Sequence, residues 1–280
     1  MSEKIYEMVT NKIIEKLEAG TVPWRKPWVG KSGSARSWKT QKSYRGINTL
    51  LLEPGEYITF KQVQEAKGKV KKGAKSEIVV FWKWLEKENE EGETEKIPLL
   101  RFYKVFNINQ CEGIESKWNE DIQEFEHDPI EEAENIIKGY MNKPSLSWQS
   151  GIGAFYQPGN DHVNVPPMKD FPKVEEYYCT MMHELIHSTG HKSRLNREGV
   201  TGTLKFGSQT YSKEELIAEI GATMLNGIAG FSEVTFDNSV AYIQSWLNKL
   251  KNDKTLIVKA AANAQRAVDH ILGVSWDKDE

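Results

Sequence analysis

The chain has little cysteine: two residues in 280, Cys111 and Cys179. That excludes a disulfide framework and an all-cysteine metal site, and it suits a reducing compartment, so a cytoplasmic location is expected. Long apolar runs are missing as well. Val79-Val80-Phe81-Trp82 is typical of the longest, far short of the ~20 residues that cross a bilayer. The opening MSEKIYEMVT has no leader pattern, so neither a signal peptide nor a membrane partner is expected. There is no internal repeat and no low-complexity tract. Net charge is almost absent, with 37 Lys/Arg against 40 Asp/Glu and a balance of −3. Taken over the whole chain, that balance argues against a nucleic-acid partner. What is present is enough apolar material for a core, 39% hydrophobic and 10% aromatic, and a length that fits two domains of ordinary size.

The charge is not evenly spread. Residues 1–85 hold 17 Lys/Arg against 8 Asp/Glu, residues 86–134 hold 5 against 16, and residues 135–280 hold 15 against 16. A basic third is thus followed by an acidic stretch and a nearly neutral remainder. Segment 115–131, ESKWNEDIQEFEHDPIE, is acidic and carries a proline near its end. It reads as a linker, which places the domains at 1–125 and 126–280.

Apolar spacing predicts a helix over 3–19, from Ile5, Met8, Val9, Ile13 and Leu17, with Gly20 as its stop. Tyr57–Phe60 reads as a short strand and 61–67 as a helix. Glu77–Trp84 and Leu99–Phe106 read as a hairpin tipped by EKENEEGETEK. Beyond the linker, helices are predicted near 131–142, 173–188, 212–227, 237–251 and 254–272. A second hairpin, Ala154–Tyr156 and His162–Val165, turns at Pro158-Gly159. The fold class is α+β, a small N-terminal α+β domain followed by a mostly helical domain with a short sheet.

The helix near 173–188 contains His183-Glu184-Leu185-Ile186-His187. Residues four apart share a helix face, so His183 and His187 can present two imidazoles to one ion, and Glu184 lies close enough to take a proton from water on it. Zinc fits this ligand chemistry best. A histidine six residues after His187, as in metzincins, is absent: the position is Ser193. A third ligand is available from Glu214-Glu215-Leu-Ile-Ala-Glu219-Ile-Gly221-Ala222. This resembles the gluzincin arrangement, in which a second helix supplies a glutamate ligand and, one turn later, an acid that bonds the far nitrogen of a ligand histidine. The resemblance assigns Glu215 as ligand and Glu219 as that acid, with Glu214 able to trade places with Glu215. Gly190 is expected to end the motif helix, and Gly221 and Ala222 to allow close helix packing. Cys179 is expected to pack as a small apolar side chain. The strand His162–Val165 is expected at the sheet edge, where an extended peptide can lie. For an oxyanion stabiliser the candidates are His191, Tyr178 and Tyr211.

Five of the nine tryptophans fall in residues 1–85, interleaved with cations. Phosphates meet Lys and Arg while bases stack on flat rings, so single-stranded DNA is the expected partner. The expected contacts are Trp24, Arg25, Lys26, Trp28, Trp38, Lys39, Tyr44, Arg45, Lys71 and Lys72. The alternative is that the tryptophans fill a small core and the lysines solubilise it.

Several segments together carry a resemblance that covers nearly the whole chain. They are Pro23-Trp-Arg-Lys-Pro-Trp28, Tyr44-Arg-Gly-Ile-Asn48, Tyr103-Lys-Val-Phe-Asn-Ile-Asn-Gln-Cys111, His183-Glu-Leu-Ile-His-Ser-Thr-Gly-His191 and Glu214-Glu-Leu-Ile-Ala-Glu-Ile-Gly-Ala222. In these the chain resembles the ArdC-type antirestriction proteins of plasmids and phages. The resemblance implies an N-terminal single-stranded-DNA-binding domain, also found fused to plasmid primases, and a zincin-like metallopeptidase domain holding Zn²⁺. It implies protection of incoming DNA from host restriction, with a host protein as a possible peptidase substrate. The competing expectation is a single-strand-coating protein whose zincin domain is structural or regulatory.

Overall fold

The structure, a computed structural model, describes residues 2–23, 35–88, 94–117, 129–202, 209–230 and 240–274. Helix α1 (Ser2–Glu18) forms where the apolar spacing predicts, burying Ile5, Val9, Ile13 and Leu17 along one face. It is followed by β1 (Ala35–Ser37), α2 (Ile47–Leu51), β2 (Gly55–Ile58) and α3 (Phe60–Glu65). The start of α3 is fixed by a capping box, in which the Thr59 and Gln62 side chains each accept the other residue's backbone N–H. Next come β3 (Lys69–Val70), the long strands β4 (Glu77–Glu88) and β5 (Thr94–Asn107), and β6 (Cys111–Glu112).

A four-stranded sheet runs β1-β2-β5-β4, with β1 parallel to β2 and the other neighbours antiparallel. Strands β3 and β6 form a separate pair. The β4–β5 hairpin reaches further into the acidic segment than its apolar runs predict. Its register runs from Glu77 opposite Val105 to Glu88 opposite Thr94. Under the other end of the sheet, Ile58, Val63 and Cys111 form a small core joined by Trp38, Val70, Phe106, Ile108 and Ile114.

The second half carries α4 (Pro129–Gly139), β7 (Ser145–Ser147), β8 (Phe155–Gln157), β9 (His162–Asn164), α5 (Val174–Ser188), α6 (Glu198–Thr201), α7 (Gln209–Ala229), α8 (Val240–Asn252) and α9 (Leu256–Leu272). Its sheet runs β7-β9-β8, with β7 parallel and β8 antiparallel to β9. Short, serine-rich β7 has no periodic signal and is not predicted from the sequence. The expected hairpin at Pro158-Gly159 forms, but β9 is the central strand, so the edge expected at His162–Val165 is not there. Among the described residues β8 and β7 are the edges, because β7 arrives from before the hairpin and takes the open side of β9. The architecture is α+β, as the sequence predicts.

The chain divides into two compact units. The first comprises 1–20, 32–123 and 244–258, and the second 21–31, 124–243 and 259–280. Neither is one continuous stretch. Within the first, the Thr10 hydroxyl donates to the Lys254 carbonyl at 2.6 Å and Lys251 pairs with Glu18 at 3.0 Å. Within the second, α5 packs along α7, both helices being apolar on the facing sides: Met181, Met182, Leu185 and Ile186 on one, Leu216, Ile217, Ile220 and Leu225 on the other are buried.

Candidate metal centre and basic aromatic surface

Helix α5 places His183 and His187 one turn apart, with Nε2 atoms 3.1 Å from each other. Helix α7 brings Glu215 across from them. Its Oε2 lies 3.7 Å from Nε2 of His183 and its Oε1 3.7 Å from Nε2 of His187. An ion bound tetrahedrally with bonds of ~2.0–2.1 Å holds its donor atoms about 3.3–3.4 Å apart. The two distances are to different oxygens of Glu215; with one oxygen chosen, the three donor atoms lie within 4.8 Å of one another, close enough to draw in around one divalent cation, and two imidazoles with a carboxylate are a zinc-type set. Among the described residues this is the one group of His, Cys, Asp and Glu that fits an ion in this way.

Glu184 lies between the two histidines in sequence and is nearly buried, 8% exposed. Burial raises its pKa, against the lowering effect of His187, His183 and the Tyr156 backbone N–H, which donates to the carboxylate. Strand β8 thus touches the carboxylate directly. A buried carboxyl beside two imidazoles is of the residue type that serves as a general base or acid.

The two adjacent glutamates of α7 do different things. Glu214 is 3% exposed, and its Oε1 lies 3.3 Å from Nδ1 of His187. Both Glu214 oxygens also accept from Arg197, at 2.6 and 3.0 Å. Burial raises the Glu214 pKa, but His187 and Arg197 outweigh it and hold the carboxyl below its usual range. An ionised carboxylate only accepts, so Nδ1 of His187 carries the proton and Nε2 is left to face His183 and Glu215. The pKa of His187 is pulled down by burial and raised on balance by Glu214 and its neighbouring carboxylates. The sequence assigns the bonding of a far imidazole nitrogen to Glu219. At His187 that nitrogen faces Glu214, the residue before Glu215 on α7. Glu219 lies one turn beyond Glu215 on α7, its carbonyl accepting from the Thr223 hydroxyl at 2.9 Å. Arg197 is a residue that sequence reading misses. It lies outside both motif helices, and only its burial identifies it.

Gly190 does not end α5 through a left-handed turn. The helix stops at Ser188, and a Cβ at Gly190 would clash with a Val200 methyl, so the glycine serves close packing of the following loop. That loop is also tied to the turn between β8 and β9, to the end of α5 and to the residues after α4. Arg194 pairs with Asp161, and donates to the carbonyls of Ser188 and Asn142, each at 2.8 Å. Of the oxyanion candidates, Tyr178 is fully buried and donates to Glu134 at 3.0 Å, which removes it from that role. His191 Nδ1 is 2.8 Å from the Ser193 hydroxyl. The Tyr211 side chain lies outside the described residues. Cys179 is buried, its thiol pushed up to about 12 by burial.

On the basic side, Trp24, Arg25, Lys26 and Trp28 lie outside the described residues. Trp38 is half-buried against the small core. Its N–H donates to the Glu115 carbonyl at 2.7 Å, and the Lys117 ammonium sits 3.8 Å from its ring centroid, so the ring is largely committed inside the fold. Tyr44 packs edge-on against Tyr57 and hydrogen-bonds Tyr103. Arg45 is half-buried, Lys39, Lys71 and Lys72 are exposed, and Lys71 reaches the Asn109 carbonyl at 2.9 Å. Phe81 and Tyr103 are not among the contacts expected from the sequence. Both are exposed, 43% and 38%, with ring centroids 5.6 Å apart, and register sets Arg101 opposite Phe81. Strand alternation is the signal that points to them.

Comparison with known proteins follows the same division. Residues 3–106 match a family model described as the N-terminal domain of anti-restriction factor ArdC, and residues 131–263 match a zincin-like metallopeptidase model. Two DNA primases named TraC from Escherichia coli are each 32% identical over 95% and 97% of the chain, which spans only 20% and 27% of their length. A Sinorhizobium fredii protein, y4eC, is 32% identical over 95% of the chain and 90% of its own. Crystal structures of the antirestriction protein ArdC from plasmid R388 superpose well. The metal-free form is 37% identical with a TM-score of 0.73, covering 95% of this chain and 96% of that one. The Mn(II)-bound form is 36% identical with a TM-score of 0.75, covering 96% and 97%.

Proposed function

The chain belongs to the ArdC family of antirestriction proteins, and from that premise we propose that it binds single-stranded DNA through residues 1–125 and carries a zinc metallopeptidase centre in residues 126–280. The observation that carries the enzymatic half is the convergence of His183, His187 and Glu215 within 4.8 Å beside the nearly buried Glu184. These three side chains hold the ion, and a relative that crystallises with Mn(II) supports a divalent one. A bound zinc supplies Lewis acidity, making water acidic near neutrality and polarising a carbonyl. Glu184 takes the proton of the attacking water and passes it to the leaving amine. An extended peptide lies along the outer edge of β8, where the Tyr156 N–H also holds Glu184. Glu219 orients the second imidazole, that of His183.

The DNA half rests on the basic charge of residues 1–85 and on their aromatics, with Phe81 and Tyr103 joining Lys39, Tyr44, Arg45, Lys71 and Lys72 as contacts. In a cytoplasm receiving a plasmid or phage, such a protein coats the entering strand and cuts a host protein that would act on it. No described helix is long and apolar enough to cross a membrane. The deciding experiment combines metal analysis with Glu184→Gln. The variant is expected to keep its metal and its affinity for single strands, while peptide hydrolysis falls by about 10²–10⁴-fold and protection of transferred DNA is abolished. Intact protection by Glu184→Gln would turn the reading to a strand-coating protein with a structural zincin domain. Absence of bound metal in the wild type would remove the peptidase altogether.

A further inference from the structure

Arg197 sits in the loop between α5 and α6, outside every motif of the sequence, and is 8% exposed. Each of its three nitrogens donates. Nε and Nη2 donate to the two oxygens of Glu214 at 3.0 and 2.6 Å. Nη1 donates to the Thr189 hydroxyl at 2.6 Å, and Nη2 also to the Ile186 carbonyl at 2.9 Å. A cation and a carboxylate taken out of water together gain little net stability, because desolvation offsets their attraction. A two-pronged arginine does, however, fix the plane of the carboxylate that it holds. The plane matters here because the same Oε1 faces Nδ1 of His187 at 3.3 Å.

Two further contacts make the arrangement rigid. Ile186 lies in the last turn of α5 and Thr189 is the residue that caps it, so one guanidinium ties the end of α5 to α7. Gly199 then closes over the carboxylate: a Cβ at that position would lie 2.8 Å from Cβ and 3.0 Å from Oε2 of Glu214, so the α6 backbone takes the place of water.

We infer that Arg197, acting through Glu214, is a positioning residue of the metal centre, holding the His187 ring in the tautomer and orientation that aim Nε2 at His183 and Glu215. This rests on the reading of those three as ligands. The test compares the full-length wild type with Arg197→Lys, Glu214→Gln and the double variant Arg197→Met/Glu214→Met. The double variant leaves no unpaired buried charge if a single change prevents folding. Affinity for Zn²⁺ is measured by competition with a chromophoric chelator, the visible spectrum of the Co²⁺ form reports ligand geometry, and thermal unfolding is followed without metal. Each folded variant is expected to bind about 10–100-fold more weakly, with an altered Co²⁺ spectrum. Variants that unfold earlier without metal but keep wild-type affinity and spectrum would show a merely structural role and overturn the inference. A wild type that takes up neither ion would overturn the ligand reading on which it stands.

Discussion

A Cβ placed on Gly221 would stand 2.7 Å from Cδ1 of Ile186. Ile186 lies between His183 and His187 on α5, and Gly221 lies six residues beyond Glu215 on α7. Their approach sets the distance between the two helices that carry the three candidate ligands.

Gly221→Val is therefore expected to do more than strain the core. Overpacking a close approach costs about 1–3 kcal/mol, read as a lowered denaturation midpoint. The same displacement moves Glu215 away from the imidazoles, so metal affinity should fall in the folded protein. Gly221→Ala should show a smaller effect, because a flexible Ile186 methyl can shift and alanine favours the helix. Wild-type affinity in a folded Gly221→Val would mean that helix spacing does not set the site.

Base stacking and phosphate neutralisation on the basic half are separable by salt. Replacing Phe81 and Tyr103 by alanine is expected to weaken binding of an oligothymidylate by about 1–3 kcal/mol per base unstacked, with the salt dependence unchanged. Replacing Lys71 and Lys72 by alanine should instead flatten the plot of log affinity against log salt, by about 0.7 for each phosphate no longer neutralised. Fluorescence anisotropy over a salt series checks both. Unchanged affinity in the aromatic variant would remove the β4–β5 face from the binding surface.

Asp161 gives a pH-dependent contribution of known sign. Its partial burial raises the pKa, but Arg194 and the Tyr156 hydroxyl outweigh that and hold it below the ordinary value of 3.8. Between the folded and the unfolded pKa the unfolded chain binds more protons, so stability rises with pH there. The contribution is complete above about pH 4 and disappears as pH falls through the folded value. Asp161→Asn is expected to lower the thermal midpoint at neutral pH, the gap to wild type narrowing below about pH 4. A gap that stays constant into acid would show that the Asp161–Arg194 pair does not titrate as described.

The legible parts of this protein are those in which neighbours in sequence are neighbours in space. His183, Glu184 and His187 share a single helix whose pitch fixes their relation, and α1 follows from the spacing of Ile5, Val9, Ile13 and Leu17. The β8–β9 hairpin is visible from Pro158-Gly159. The order of strands is not, because β7, too short and polar to show a pattern, fills the side of β9 that would otherwise be open. Trp38 is expected among the DNA contacts for its type and neighbours, yet the core around Ile58 and the Glu115 carbonyl engage it.

Composition and helical spacing act locally, and they are enough for the α+β class, the uneven distribution of charge and the pairing of His183 with His187 on one helix face. They are not enough to say which of two adjacent glutamates faces the donor nitrogens and which one backs His187. Glu214 and Glu215 have the same propensities and the same chemistry. They differ by one step, about 100°, around α7, and the rotation of that helix is fixed by residues distant in sequence: Gly221 packed against Ile186, and the buried guanidinium of Arg197.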